Sequence, residues 1–71
     1  MSEHATTFHL WLVRETDSAR QFCKDRDSSE MFWVPRSVVI SITKFNSYSE
    51  RGDRECQVSI ENWFVEQCDE L

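Results

Sequence analysis

One segment, at 38–45, constrains the fold more than any other part of this sequence, because its side chains alternate with a period of two. The positions that face one way are Val38, Ile40, Ile42 and Lys44, and those that face the other way are Val39, Ser41, Thr43 and Phe45. A two-residue period and β-branched side chains are typical of a β-strand that has one face buried. We therefore predict a strand at 38–45 whose apolar face includes Ile40.

Four further strands follow from similar apolar runs separated by turn residues. Pro35 cannot donate a hydrogen bond to a sheet, so it ends the third strand or lies on an edge. A turn is expected at 16–18, and the segment that contains the single glycine, 46–54, is expected to be a loop. The second and third strands are expected to form a hairpin. The additional strands are predicted at 6–14, 19–24, 30–34 and 55–60.

The end of the chain has the spacing of one short amphipathic helix with Ser59 as its N-cap. The face expected to pack on the sheet contains Ile60, Trp63, Phe64, Gln67 and Cys68. The opposite face contains Glu61, Asn62, Val65, Glu66 and Asp69. The predicted fold is a single α+β domain over 1–71: a small bent antiparallel five-stranded sheet, or a partly open barrel, with one C-terminal helix over an open end.

The chain is short for a protein that must build its own core. A domain of 71 residues buries only roughly 60% of the surface that its unfolded chain exposes. Large aromatic side chains partly offset this, since each ring removes about 150–250 Å² from water when it is buried. Trp11, Trp33 and Trp63 are therefore expected first of all to belong to the core.

The cysteines predict an intracellular protein without a metal site. Cys23, Cys56 and Cys68 are odd in number, and no apolar leader sequence precedes them. We therefore expect three free thiols and a cytoplasmic location. The cysteines and the two histidines are too scattered to predict metal ligands, no cofactor is indicated, and no apolar run reaches the roughly 18 residues of a membrane span.

The acidic residues predict a protein partner. The formal net charge is −5, which opposes binding to nucleic acid phosphates, and the acids gather around the 25–29 loop and in the last eleven residues. Two such patches would complement a basic protein surface, and a nearby apolar side chain would supply an anchor. The candidate partner-binding residues are Asp25, Asp27, Glu30, Tyr48, Glu61, Val65, Glu66 and Asp69.

Three short motifs resemble a group of small uncharacterised phage and prophage proteins. They are E-T-x-x-A at 15–19, W-[IVL]-P-[KR]-S at 33–37, and an apolar strand leading into a W-L helix at 58–64. The resemblance covers about residues 8–66, and the chain departs from it at Glu61, where that group often has Pro, and at Phe64, where it has Leu. It implies a mobile-element setting, in which small acidic proteins often inhibit host enzymes as anti-CRISPR or anti-restriction proteins.

Catalysis and nucleic-acid binding are two other classes of function on which the sequence bears. Catalysis needs a set of reactive groups that converge in one pocket. No spacing in the sequence indicates that His9 forms a catalytic pair with Cys23 or Cys56. The alternative function is an accessory protein that binds single-stranded nucleic acid by base stacking. Its stacking residues would be Trp11, Phe32, Trp33 and Tyr48, and its cations would be Arg14, Arg20, Lys24, Arg36 and Lys44.

Overall fold

The computed structural model describes residues 4–71 and consists mainly of β-strands. The elements are β1 (Ala5–Glu15), β2 (Ala19–Cys23), β3 (Met31–Pro35), a short 3-10 helix (Arg36–Val38), β4 (Val39–Tyr48), β5 (Arg54–Glu61) and α1 (Asn62–Gln67). The five predicted strands and the terminal helix are thus present, and the chain fits a small α+β class in which β-structure dominates. Pro35 ends β3, as expected.

The strands form one antiparallel sheet in the order β3-β2-β1-β5-β4. β2 and β3 pair as the predicted hairpin. The outermost strands, β3 and β4, follow each other in the chain and are joined only by the 3-10 helix. Four Cα steps span at most about 15 Å, whereas the outer strands of a flat five-stranded sheet lie about 19 Å apart. The open sheet must therefore curve at this end.

The core lies on one face of the curved sheet. Its largest fully buried side chains include Phe22, Leu10 and Ile60. Phe22 also lies opposite Phe32 in the hairpin, with ring centroids 6.5 Å apart. Trp11 is buried as expected, but on the other face, where its ring lies under the Arg26 guanidinium. Trp33 alternates with core residues and is exposed, contrary to the prediction.

The predicted strand at 38–45 exists, but a bulge changes which of its residues face the core. Val39 lies opposite Ile60 and Ser41 lies opposite Ser59, so Ile40 is an extra residue between two successive pairs. As a result Val39 and Ile42 pack against the core, while Ile40 is 54% exposed. The strand also continues to Tyr48, so the first three residues of the predicted 46–54 loop belong to β4.

The terminal helix is shorter than predicted and presents a different face to the core. β5 continues through Glu61, which places Ser59 within the strand and not at the helix N-cap. Phe64, Val65 and Cys68 pack against the core. Trp63 is 55% exposed, and its indole Nε1 donates a hydrogen bond to Glu61 Oε2 over 2.8 Å. The prediction that Trp63 is a core residue is therefore wrong.

Candidate partner-binding groove

Two acidic segments that are distant in the sequence line one groove. The groove has a volume of about 570 Å³ and lies between the β2–β3 connection and the last residues of the chain. Four carboxylates line it against one cation, Lys24, and Met31 and Phe32 contribute apolar surface. We call this the acidic groove, and its carboxylates belong to Asp25, Glu30, Asp69 and Glu70.

Asp27 holds the loop that forms one wall of the acidic groove. Its two carboxylate oxygens accept hydrogen bonds from the backbone N–H groups of Glu50 and Arg51, over 3.2 and 3.0 Å. Asp27 also has a φ of 57°, a left-handed conformation that Asp tolerates better than most residues. A hydrogen bond from Ser49 and those from the two N–H groups lower its pKa. Asp27 thus positions the loop, and its role in partner binding stays a prediction.

A polar cluster beneath this loop was not identified from the sequence. Asp53 is only 3% exposed, and its carboxylate is paired with the Arg51 guanidinium. The Cys23 thiol donates to the Asp25 carbonyl over 3.2 Å, and it also lies within hydrogen-bonding distance of Asp53. Burial is the main reason that the pKa of Cys23 is raised. In the sequence, only the short spacing between Arg51 and Asp53, on either side of the single glycine, indicates that these two side chains could pair.

The other wall of the acidic groove follows helix α1. Val65 and Leu71 pack against the core and fix the position of the chain end. The Cys68 thiol donates to the Glu70 carboxylate over 3.4 Å. Because the chain end packs in this way, Asp69 and Glu70 are brought to Met31 and Phe32 of β3. Glu70 was not among the candidate residues, although it belongs to the same run of acids.

The structure brings together Asp25, Glu30 and Asp69 but separates the other candidates from them. Val65 is partly buried against the core, which contradicts the prediction that it lies on the opposite face of the helix, and its role in partner binding stays a prediction. Glu61 accepts a hydrogen bond from the Trp63 indole. Glu66 is exposed on α1 and lies outside the groove. Tyr48 is 51% exposed at the far end of β4, where its ring lies under the Arg54 guanidinium.

At the other end of the β2–β3 hairpin, the first two motifs contact each other. The Arg36 guanidinium donates to Glu15 Oε2 over 2.9 Å and to the Thr16 carbonyl over 2.8 Å. The backbone N–H of Arg36 donates to the Ser18 carbonyl, and Thr16 closes the turn through its hydrogen bonds with Ala19. The E-T-x-x-A and W-V-P-R-S motifs therefore have a structural role: they hold a turn against the connection between the edge strands.

All three thiols are free, as predicted from the odd number of cysteines. Cys23 and Cys56 are fully buried and Cys68 is partly buried. Burial raises the pKa of each thiol above its ordinary value. Within residues 4–71, no group of three His, Cys, Asp or Glu side chains is arranged to hold a metal ion. Over the same residues, no helix is both long and apolar enough to span a membrane.

Comparison with known proteins gives no relative from which a function could be transferred. No family model matches the chain, and no curated protein or solved structure is significantly similar to it. The resemblance to phage and prophage proteins therefore stays a prediction.

Proposed function

We propose that this chain is a non-catalytic protein of a phage or mobile element that binds a host nucleic-acid-handling protein and inhibits it. The acidic groove carries the proposal, because four carboxylates from two distant segments meet there against one cation. Proteins that handle nucleic acid present Lys and Arg to phosphates, and such a surface would complement the groove. The mobile-element setting and the anti-CRISPR or anti-restriction class rest on the motif resemblance.

The groove also has the apolar surface that recognition of a long basic side chain requires. Lys and Arg lay their aliphatic stems along apolar surface while the charged group stays near water. Met31 is partly exposed in the groove, which Glu30 and Asp69 also line, so the aliphatic stem and the charged group of a basic side chain would each have a partner there. Opposite charges on two surfaces act mainly by speeding association and by selecting the partner.

The test compares charge reversal inside and outside the groove. The tagged protein is used to isolate a host protein at moderate salt, and association with that protein is then measured for D69K/E70K and for E66K. Asp69 and Glu70 line the groove, whereas Glu66 is an exposed acid on α1 outside it. We expect D69K/E70K to slow association at least about tenfold and to flatten its salt dependence, and E66K to change the rate less than about twofold.

Two results would contradict this proposal. One is equal association of folded D69K/E70K and the unchanged protein. The other is a bound complex in which the host protein binds its nucleic acid as well as it does alone. The first result would show that the groove carboxylates are only solubilising, and the second that binding does not inhibit.

A row of residues across three strands supports a second candidate, binding of single-stranded nucleic acid. Arg14 lies opposite Gln21, and Gln21 lies opposite Trp33, so a cation, an amide and an indole project from the same face of the sheet. Trp33 is 44% exposed and free to stack on a base. Oligothymidylate should then quench Trp fluorescence, and W33A should abolish the quenching while W63A does not. Quenching that survives in W33A would reject this candidate.

A further inference from the structure

Three cations converge on one carboxylate where the edge strands are joined. Glu15 accepts hydrogen bonds from Lys44 Nζ over 2.8 Å and from Arg36 Nη2 over 2.9 Å. The Arg20 guanidinium completes the group, with its Nε 3.5 Å from Glu15 Oε2. Glu15, Arg20, Arg36 and Lys44 are called the Glu15 cluster below.

The charges of the Glu15 cluster do not balance. Three positive charges meet one negative charge, so the cluster keeps a surplus of two positive charges in a chain of net charge −5. Among residues 4–71, Glu15 is the only carboxylate within 4 Å of these cations. One cation would be enough to neutralise Glu15, and each further cation adds repulsion between like charges. Holding the connection in place does not by itself account for this surplus.

The cluster also retains hydrogen-bond donors without acceptors. The Arg20 Nε is buried and has no hydrogen-bond partner in the described part of the chain. Arg36 donates hydrogen bonds through Nε and Nη2, so its Nη1 is available as a donor to a ligand. Lys44 donates one hydrogen bond to Glu15, so its other ammonium hydrogens are available as well. The side chains of Arg36 and Lys44 are 37% and 34% exposed, so a ligand from solvent can reach them.

We infer that the Glu15 cluster is a binding site for a doubly charged phosphate group, held by Arg36 and Lys44 at the surface with Arg20 behind them. A phosphate monoester supplies the two negative charges that the cluster lacks and several oxygen acceptors for guanidinium and ammonium donors. Glu15 serves as the orienting group, because its hydrogen bonds already hold Arg36 and Lys44 side by side.

This site is separate from the acidic groove. The Glu15 cluster lies beside the first residues of β2, whereas the groove lies at the β2–β3 connection, at the opposite end of the hairpin. The inference therefore does not depend on the proposed protein partner, and its test is independent of D69K/E70K.

The test is an NMR titration of the full chain with inorganic phosphate at pH 7.5 and constant ionic strength. We expect saturable shifts of the Arg20 and Arg36 Nε–H signals and no comparable shift with chloride alone. K44Q and R36Q should each weaken phosphate binding about fivefold or more, because each removes a charge-assisted hydrogen bond to the phosphate. The matched control K24Q removes an exposed lysine at the groove and should leave binding unchanged within about twofold.

Further ligands distinguish the sources of the phosphate. A short oligonucleotide with a 5′-phosphate should bind more tightly than the same oligonucleotide with a 5′-hydroxyl, because a phosphodiester carries only one charge. Vesicles containing a phosphate monoester lipid test a membrane source in the same way. Unsaturable shifts, equal responses to chloride, or unchanged binding in both folded K44Q and R36Q would overturn the inference and leave the cluster with a structural role alone.

Discussion

The three tryptophans show at the scale of single residues that residue type does not decide burial in so small a domain. Trp11 is 8% exposed, Trp33 is 44% exposed and Trp63 is 55% exposed. Trp11 is covered because His9, two residues earlier in β1, contacts its ring edge-on and Arg26, from the β2–β3 connection, lies over it. Trp63 contacts Phe64 edge-on and hydrogen-bonds Glu61 but has no layer of protein above it. The side chains that surround each ring, and not the residue type, therefore set its burial.

Removal of Trp63 should accordingly have little effect on folding. We expect W63A to lower the free energy of unfolding by less than about 1 kcal/mol, as is usual for an exposed side chain. F22A, which removes a ring with 0% exposure, should cost roughly 3–5 kcal/mol and serves as the comparison. Urea unfolding of both variants measures the difference. A loss for W63A as large as that for F22A would mean that Trp63 is a core residue after all.

At the scale of elements, ionic contacts stabilise the turn between β1 and β2. The turn residues pack against the 3-10 helix through Arg36, and Lys44 reaches the same carboxylate from β4. Glu15 thus connects three elements that are not all neighbours in the sheet. The hydrogen bond from Lys44 is the largest of the effects that lower the pKa of Glu15 below its ordinary value.

This lowered pKa predicts a pH dependence of stability. A carboxyl group whose pKa is lower in the folded state favours folding above its unfolded pKa, and that stabilisation is lost as the pH falls through the folded pKa. For Glu15 the loss begins as the pH drops below about 4.5, the ordinary value. We expect E15Q to be less stable than the unchanged protein at pH 7 and the difference to shrink at pH 3, as measured by urea unfolding.

The exposed acid Glu66 supplies the control for this prediction, since E66Q removes a carboxylate from α1 outside the Glu15 cluster. E66Q should follow the unchanged protein at both pH values. A stability difference between E15Q and the unchanged protein that stays constant from pH 7 to pH 3 would contradict the role given to the Glu15 carboxylate.

At the scale of the whole molecule, charge is distributed unevenly over the sheet. Residues 31–49 contain no Asp or Glu, and they form both edge strands and the connection between them. The acids of the groove come from outside this stretch, at residues 25–30 and 69–70. The fold therefore places the acids of the groove away from the 3-10 helix and β4, which carry Arg36 and Lys44, and it provides two surfaces of different chemistry.

Thiol reactivity should report on the opening of the whole core. Cys23 and Cys56 are fully buried on two strands of the sheet, and Cys68 is partly buried beside the helix. In the native protein we expect Cys68 to react first with a thiol reagent. Cys23 and Cys56 should react more slowly and at similar rates, because both need global opening. Labelling in denaturant should modify all three without prior reduction. Native rates for Cys23 or Cys56 equal to that of Cys68 would show local opening instead.

The sequence by itself determined the strands, because apolar alternation, turn residues and Pro35 act over a few neighbouring positions. It also indicated two clusters of acids, one around 25–30 and one near the chain end. It did not indicate the meeting of the Glu15–Ala19 turn with Arg36, since that contact joins segments twenty residues apart. Patterns within one segment carry no information about which other segment lies beside it.

Only the tertiary structure decided which side chains are buried on β4 and α1 and which acids share the groove. A single extra residue at Ile40 changes the orientation of side chains along a strand, and the pairing with β5 reveals it. Helix α1 has six residues, too few turns for its own periodicity to select a buried face. Val65 lies inward, Trp63 lies outward and Asp69 lies beside β3. These positions follow from the direction in which the chain leaves β5 and from the space that the core leaves for the helix.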